Sequence, residues 1–372
     1  MKQRLASLIA TKATVEGEVS VSINERKRRR LRCGRPLVLV SLVAAATASA
    51  AGWFGTGSAG AARAHKLDTI TIAITGPTAT QDVPLLAAKK GYFAQYGLDV
   101  NVQILASSQA LPAIASGQVQ FIEGAEPQAM NVDWSSNSAA THNKPVRLLG
   151  YWQPKAGGIV VVARPGINTV ADFKGKTLGV TTPGGPSAIL LDLVLNRVGH
   201  LTSKDVNVVP LGTLPAEVAA FNAGRIAGMN STEPLTTQIL TGTPGSKVVF
   251  DESKYHWILG GIAGYMPWVK AHPGATVRVL AAINKALADY HSSPADAKAI
   301  IGSAGNITDQ SQLDTAYKSS IPYITTKIQP IPEVAMRAVL LAMKKNGTPA
   351  ANPNRWKEAV DNVYVKAAAK MK

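Results

Sequence analysis

Cysteine is almost missing from this 372-residue chain, and the one it has, Cys33, lies near the start. Once the segment before His65 is removed no cysteine remains, which excludes disulfides, thiolate metal sites and cysteine nucleophiles from the mature protein. Long membrane-spanning runs are missing too. Leu37–Ala51 is uncharged and mostly apolar, but it falls short of the ~20 residues that cross a bilayer. The six histidines are scattered without H-x-x-x-H spacing, and no phosphate-cradling P-loop is present. The formal net charge of +16 promises a nucleic-acid surface that the charge distribution does not deliver. The first 64 residues hold 11 of the 39 basic and 3 of the 23 acidic residues, leaving 28 against 20 and a net charge of +8. No Lys/Arg-rich tract remains after residue 64, so a nucleic-acid partner is not expected.

The first 64 residues read as a secretory signal. Arg26–Arg35 holds seven Lys or Arg residues, the apolar run follows, and small residues lead to Ala62-Arg63-Ala64. A basic region, a short apolar region and an A-x-A site in that order form an export signal. Cys33 precedes the apolar run, whereas a lipid-anchoring cysteine would follow it. The expected location is therefore the periplasm or cell surface, with an uncleaved membrane anchor as the alternative.

The remaining 308 residues repeat themselves. Leu111-Pro112-Ala113 opens an apolar run that stops at Gly117 and reaches Glu126-Pro127; Leu214-Pro215-Ala216 opens another that stops at Gly224 and reaches Glu233-Pro234. Nine positions separate glycine from glutamate in both copies. Each copy reads as helix, glycine stop, short buried strand and a new helix starting at the proline. Around them strand and helix periods alternate: Ile70, Ile72 and Ile74, then a helix over Gln81–Lys90 capped by Thr80, then Leu98, Val100, Val102 and Ile104. Strands are also expected over Ile159–Ala163, Thr177–Val180 and Ile226–Met229, and helices dominate from Pro273 onward, the last over Asn354–Ala368. This alternation predicts an α/β fold with parallel sheets covered on both faces, in two lobes that form a cleft.

Gly91-Tyr92-Phe93-Ala94-Gln95-Tyr96-Gly97-Leu98-Asp99-Val100 closely resembles the "GYF…GLDV" signature of periplasmic substrate-binding proteins for nitrate, sulfonates, taurine and thiamine-type pyrimidines. Ala115-Ser116-Gly117-Gln118-Val119 is similar to that family's "ASGQVD" segment. Ala171 to Val180 is similar to its "DLKGKTVGV" opening of the second lobe, and Glu233-Pro234 to its Glu-Pro pair. The resemblance implies a type II two-lobe fold with two crossovers: lobe I from 68–164 plus 265–372, lobe II from 166–262. It also implies a small-molecule ligand, an ABC permease with its ATPase as partners, contact with the membrane only through that permease, a monomer and no cofactor. The chain departs from the family at Gln120 and Ala227, where aspartate is usual, and over Ile122-Glu123-Gly124-Ala125-Glu126 in place of a glycine-rich stretch that faces the ligand in relatives.

Open α/β sheets bind ligands outside the carboxyl ends of their strands. That rule selects Thr75, Gly76, Pro77 and Thr78; Ser107, Ser108 and Gln109; the loop holding Thr182, Gly184, Gly185 and Ser187; and Gly212. Two of these loops lead into helix N-termini, which favour an anionic or polar group. Glu123, Gly124, Glu126 and Glu233 are candidates of the opposite sense: carboxylates at the cleft repel a sulfonate or nitrate and attract an amine. The competing reading makes Glu126 and Glu233 caps of the helices their prolines begin. Trp152 and Gln153 offer a stacking face beside an amide, or a core position.

The expected function is extracytoplasmic capture of a small organosulfur or organonitrogen nutrient for an ABC importer. The alternatives are an enzyme of the same fold or a membrane-tethered sensor. The desulfinases and pyrimidine synthases that resemble this fold depend on cysteines that the mature chain lacks, and a sensor would be expected to carry a transmembrane or signalling segment after Lys372. Mass spectrometry of the exported protein is expected to find His65 at its N-terminus; a full-length chain recovered only from membranes would contradict export by cleavage.

Overall fold

The structure is a computed structural model and describes residues 68–76, 78–124, 129, 146–154, 156–253, 255, 257–345 and 351–371. The leader with its Ala62-Arg63-Ala64 site lies outside the described residues, as do Pro77 and Glu126. Among the described residues no helix is long and apolar enough to cross a membrane.

The strands in chain order are β1 (Asp68–Ile74), β2 (Leu98–Ile104), β3 (Phe121–Glu123), β4 (Val146–Gln153), β5 (Ile159–Ala163), β6 (Thr177–Val180), β7 (Asn207–Pro210), β8 (Gly228–Thr232), β9 (Lys247–Asp251) and β10 (Leu259–Tyr265). They form two five-stranded sheets, ordered β2-β1-β3-β10-β4 and β7-β6-β8-β5-β9. Both obey one rule: second strand, first, third, a strand arriving from the other sheet's stretch of chain, and last. The first three are parallel in each sheet, and the arriving strand is antiparallel to both neighbours. The repeat in the sequence is thus a repeat of topology, and the chain has the two-lobe type II α/β fold.

The helices that cover the sheets are α1 (Val83–Lys89), α2 (Tyr92–Gln95), α3 (Ser107–Ser116), α4 (Pro186–Arg197), α5 (Leu214–Asn222), α6 (Leu235–Gly242), α7 (Met266–Ala271), α8 (Pro273–Ser292), α9 (Pro294–Gly305), α10 (Gln310–Ser320) and α11 (Glu333–Lys345). Gly117 and Gly224 adopt φ of +79° and +75°, the left-handed turn that ends α3 and α5 and sends the chain toward β3 and β8. Both faces of each sheet are buried. On the first, Ile70, Ile72 and Phe121 join Val279, Ile283 and Tyr290 of α8 in one core, and Ala73 and Ile122 join Ile114 in another. On the second, Leu178 packs with Phe173 and Val194, and Met229 with Phe221 and Ile239.

Three expectations need correction. β5, assigned by sequence to the first lobe, pairs with β8 and β9 of the second sheet. β10, assigned largely to the second, pairs with β3 and β4 of the first. The chain therefore crosses before each of these strands, at 154–158 and 252–258; a strand apolar on both faces reads alike in either sheet. The single helix expected over 354–368 is broken. Val360 bridges in parallel to Leu148, and the Asn362 amide both accepts from Ile331 N–H (2.9 Å) and donates to Ile331 C=O (3.0 Å).

Among the described residues, two buried carboxyl groups are raised far above their ordinary range. Burial pushes Glu217 on α5 up to about 8, and burial together with the neighbouring Asp251 charge pushes Glu252, at the second crossover, up to about 8. Below the ordinary value of 4.5 such a group is neutral in both folded and unfolded chains. As pH rises the unfolded chain ionises first, so stability falls between pH 4.5 and about 8 and then levels off. Glu217→Gln and Glu252→Gln are each expected to raise the melting temperature at pH 8 by several degrees and to change it little at pH 4.5, as read by circular dichroism melts across that range.

Candidate ligand site between the lobes

A cavity of about 90 Å³ lies between the lobes. The first sheet contributes Thr75, Thr78 and Gln81 after β1, Ser107 after β2 and Gly124 after β3; the second contributes Thr181, Pro186, Ser187 and Leu190 after β6, Leu214 at the start of α5, Ile159 of β5, and Asn230, Ser231 and Thr232 at the end of β8. Apart from Ile159 and the residues of β8 and α5, these follow the carboxyl ends of parallel strands, as open α/β sheets require. No ionisable side chain is among these lining residues.

Two helices start at this cavity, one from each lobe. Ser107 opens α3 after the extended Ala106, and Pro186 and Ser187 open α4 after the extended Gly185. Their first-turn N–H groups have no partner inside the helix, and the dipoles place partial positive charge there. Ser187 also organises the second lobe: its hydroxyl accepts from Thr181 N–H (3.1 Å) and lies 2.9 Å from the Thr181 hydroxyl, while its carbonyl accepts from the Asn230 amide (3.1 Å). One of that amide's two N–H donors is used in this way. Its oxygen is buried and has no hydrogen-bond partner, which makes it an acceptor for a ligand donor.

On the first lobe the turn over 78–82 is held from behind. Trp152 donates its indole N–H to Thr80 C=O (2.7 Å), and Tyr290 its hydroxyl to Ala79 C=O (2.6 Å). With both carbonyls fixed, Ala79 N–H donates across the cleft to Glu233 C=O (2.9 Å). A second inter-lobe bond runs from the Gln238 amide to Gly305 C=O (3.2 Å). The lobes are therefore in contact across the cleft.

Of the residues selected from sequence, Thr75, Thr78, Ser107, Gly124 and Ser187 come together here. Gly76 lines a neighbouring crevice with Ala106 and Thr213. Ser108 and Gln109 are exposed on α3, and Thr182, Gly184, Gly185 and Gly212 belong to the flanking loops without lining the cavity. Trp152 is fully buried and presents no stacking face; it supports the turn instead. Gln153 is buried and donates to Gly157 C=O (2.5 Å), which fixes the first crossover. The Glu123 carboxyl is fully buried outside the lining, and its carbonyl accepts from Thr75 N–H (3.1 Å) and the Thr75 hydroxyl (3.2 Å). Glu233 caps: its carboxylate accepts from Thr237 N–H (3.2 Å) in the first turn of α6, and burial raises its pKa. The lining carboxylates expected from Glu123 and Glu233 are thus absent. Gln120, a departure from the family's aspartate, accepts from Thr71 N–H (2.8 Å) and donates to Gly117 C=O (2.9 Å), tying the α3 stop to β1.

Sequence reading missed Gln81, Ile159, Leu190, Leu214 and the Asn230–Thr232 segment. The rule that selected the loops at strand ends, Thr181 among them, passes over residues within strands and helices, and Gln81 lies just beyond the loop it named after β1.

The family model described as NMT1/THI5 like matches residues 81–297. The chain belongs to the NMT1/THI5-like family. Among solved structures it is similar to a protein from Bordetella bronchiseptica RB50, with 22% identity, a TM-score of 0.68 and coverage of 82% of this chain and 98% of that one. The periplasmic aliphatic sulphonate binding protein SsuA from Escherichia coli shares 16% identity, with a TM-score of 0.63 and coverage of 79% and 92%. The periplasmic nitrate-binding protein NrtA from Synechocystis PCC 6803 shares 14%, with a TM-score of 0.60 and coverage of 82% and 89%. The desulfurization enzyme DSZB has the same fold at a TM-score of 0.55 and 16% identity, with coverage of 81% and 99%. At these identities the likeness is one of fold. No curated protein is detectably similar in sequence.

Gly124 is closely packed within the cavity of this NMT1/THI5-like protein. Its φ is +91°, and a Cβ there would lie 2.5 Å from Thr75 Oγ1 and 2.7 Å from Gln81 Nε2. Gly124→Ala is expected to displace both side chains, to lower stability by about 1–3 kcal/mol through backbone strain, and to weaken ligand binding about tenfold or more, given about 1.5 kcal/mol for each displaced hydrogen bond. Thermal melts and titration calorimetry on the same variant separate the two effects.

Proposed function

We propose that this protein is an extracytoplasmic solute-binding protein of an ABC importer, capturing a small organosulfur or organonitrogen nutrient by closure of its lobes. The observation that carries the reading is the facing pair of helix N-termini, at Ser107 and Ser187, across a cavity that both lobes line with hydroxyls and amides. Such a site supplies hydrogen bonds and positive dipole ends to a compact polar or anionic head. Ile159, Pro186, Leu190 and Leu214 supply an apolar wall. Within the proposed class this favours a sulfonate-like head on a short apolar body, in line with the aliphatic sulphonate binding protein from Escherichia coli that shares the fold. Glu126, the partner expected for an amine, lies outside the described residues, and no described carboxylate lines the cavity.

The lining also supports binding over catalysis. Its hydroxyls have no histidine or carboxylate among the described lining residues to activate them, and a nucleophile of that type needs an adjacent base. Export would follow from the leader, and the permease with its ATPase would be the partners of the closed, monomeric form. Two crossovers leave the lobes a hinge, and a ligand that contacts both lobes favours the closed state over the open one.

A thermal-shift screen of straight-chain alkanesulfonates, taurine, nitrate and pyrimidines tests the ligand class, since anything that binds the folded form raises its melting temperature. A sulfonate is expected to give the largest shift. Small-angle scattering is then expected to show a smaller radius of gyration with that ligand; an unchanged radius would sink the hinge.

A further inference from the structure

We infer that Leu190 sets the longest ligand this site accepts, by separating the cavity between the lobes from a larger one behind it. The inference rests on the binding function proposed above. Leu190 lines both spaces: the cavity of about 90 Å³ that holds Ser107 and Ser187, and a second of about 590 Å³ further along α4. The second cavity is bounded by Leu193 and Arg197 of α4, by Trp257 of the second crossover, and by Leu341 and Lys345 of α11.

Helical spacing explains how one residue serves two cavities. Pro186, Leu190, Leu193 and Arg197 follow one another at intervals of four, three and four, so they form one stripe along α4. The first turn of that stripe faces the cavity between the lobes, its last two members face the rear cavity, and Leu190 stands between them. Its side chain is 1% exposed and packs in one apolar cluster with Ile159, Ile189 and Trp257. Ile159 lines the front cavity and Trp257 the rear one, so this cluster forms the wall between them.

A ligand whose polar head meets the helix N-termini directs its apolar body at this wall. Chain length is then limited where the body meets Leu190. With Leu190 cut back, the tail would pass into the rear cavity along Leu193, Trp257 and Leu341, which share that lining with the polar Asp192, Asn196, Thr202 and Ser203. Arg197 and Lys345 also line that space, and an uncharged tail meets no charge repulsion from them.

The test is a series of straight-chain alkanesulfonates, from ethane- to octanesulfonate, titrated calorimetrically into the full mature chain, Leu190→Ala and Leu193→Ala. The unsubstituted protein is expected to bind short members and lose affinity beyond a limiting length. Leu190→Ala should move that limit by about two carbons and raise affinity for the first rejected member about tenfold, the scale on which a hydrophobic pocket discriminates one methylene. Leu193→Ala, which touches only the rear cavity, should leave the limit in place. An unmoved limit in Leu190→Ala overturns the inference, as does an equal movement in Leu193→Ala, which would indicate a loosened α4. If Leu190→Ala does not fold, Leu190→Val should extend the limit by about one carbon, and an unmoved limit there overturns the inference equally. If no sulfonate binds, the ligand class proposed above falls, and a crystal structure of Leu190→Ala (or of Leu190→Val, if only that variant folds) decides the present point. One continuous cavity supports the wall; two cavities still separated overturn it.

Discussion

Neither sheet of this protein can be finished from its own stretch of chain. The position between the third and last strands is filled in the first sheet by β10 and in the second by β5, each arriving across the cleft and running antiparallel to both neighbours. Without them the inner edges of β3 and β4, and of β8 and β9, would hold buried N–H and C=O groups with no partner, a cost that folded chains avoid. This requirement forces the chain to cross twice, and the two crossings join one lobe to the other. It also points the loops after β1, β2 and β6 at one another, so the site is a consequence of how the sheets are completed.

The chemistry of the site follows from what was kept out of it. Buried carboxyl groups are present in the fold, at Asp82, Glu123, Glu217 and Glu252, yet none lines the cavity. The field there comes from backbone amides, helix ends and neutral hydroxyls, which are fixed by folding and need no counter-ion to be carried in. Trp152 and Tyr290 show how this is kept rigid. Both are fully buried, and each gives its one polar hydrogen to a carbonyl of the turn over 78–82.

Much of the architecture was legible in the sequence because local rules dictate it. Gly117 and Gly224 stop helices for reasons of backbone sterics alone, and the alternation of Ile70, Ile72 and Ile74 places β1 without tertiary information. The loops after β1, β2 and β6 could be named from a rule about strand ends. What could not be read were choices made by distant partners. The sheet to which β5 belongs is settled by ladder hydrogen bonds to β8 and β9, and the role of Trp152 by a carbonyl 72 positions away. Asn230 was invisible for the same reason: it lies within a strand, and only the packing of α4 turns its amide toward Ser187. Glu123 was expected at the cleft and lies outside the lining, whereas Glu233 takes the capping role that the sequence also allowed; a carboxylate near a strand end looks the same in sequence in either position.

The pairing of the crossover stems has a consequence for how such a chain can be assembled and rearranged. Gln153 lies opposite Leu259, and Val160 opposite Asp251, so the chain leaves the first lobe and returns to it at adjacent backbone positions. Topologically the second lobe is one uninterrupted excursion whose two stems run side by side. The loop-closure cost of inserting a whole lobe is therefore set by the separation of its stems rather than by its bulk, and it grows only slowly with the length inserted. A fold built in this way can exchange or lengthen its second lobe while the first keeps every strand neighbour it has.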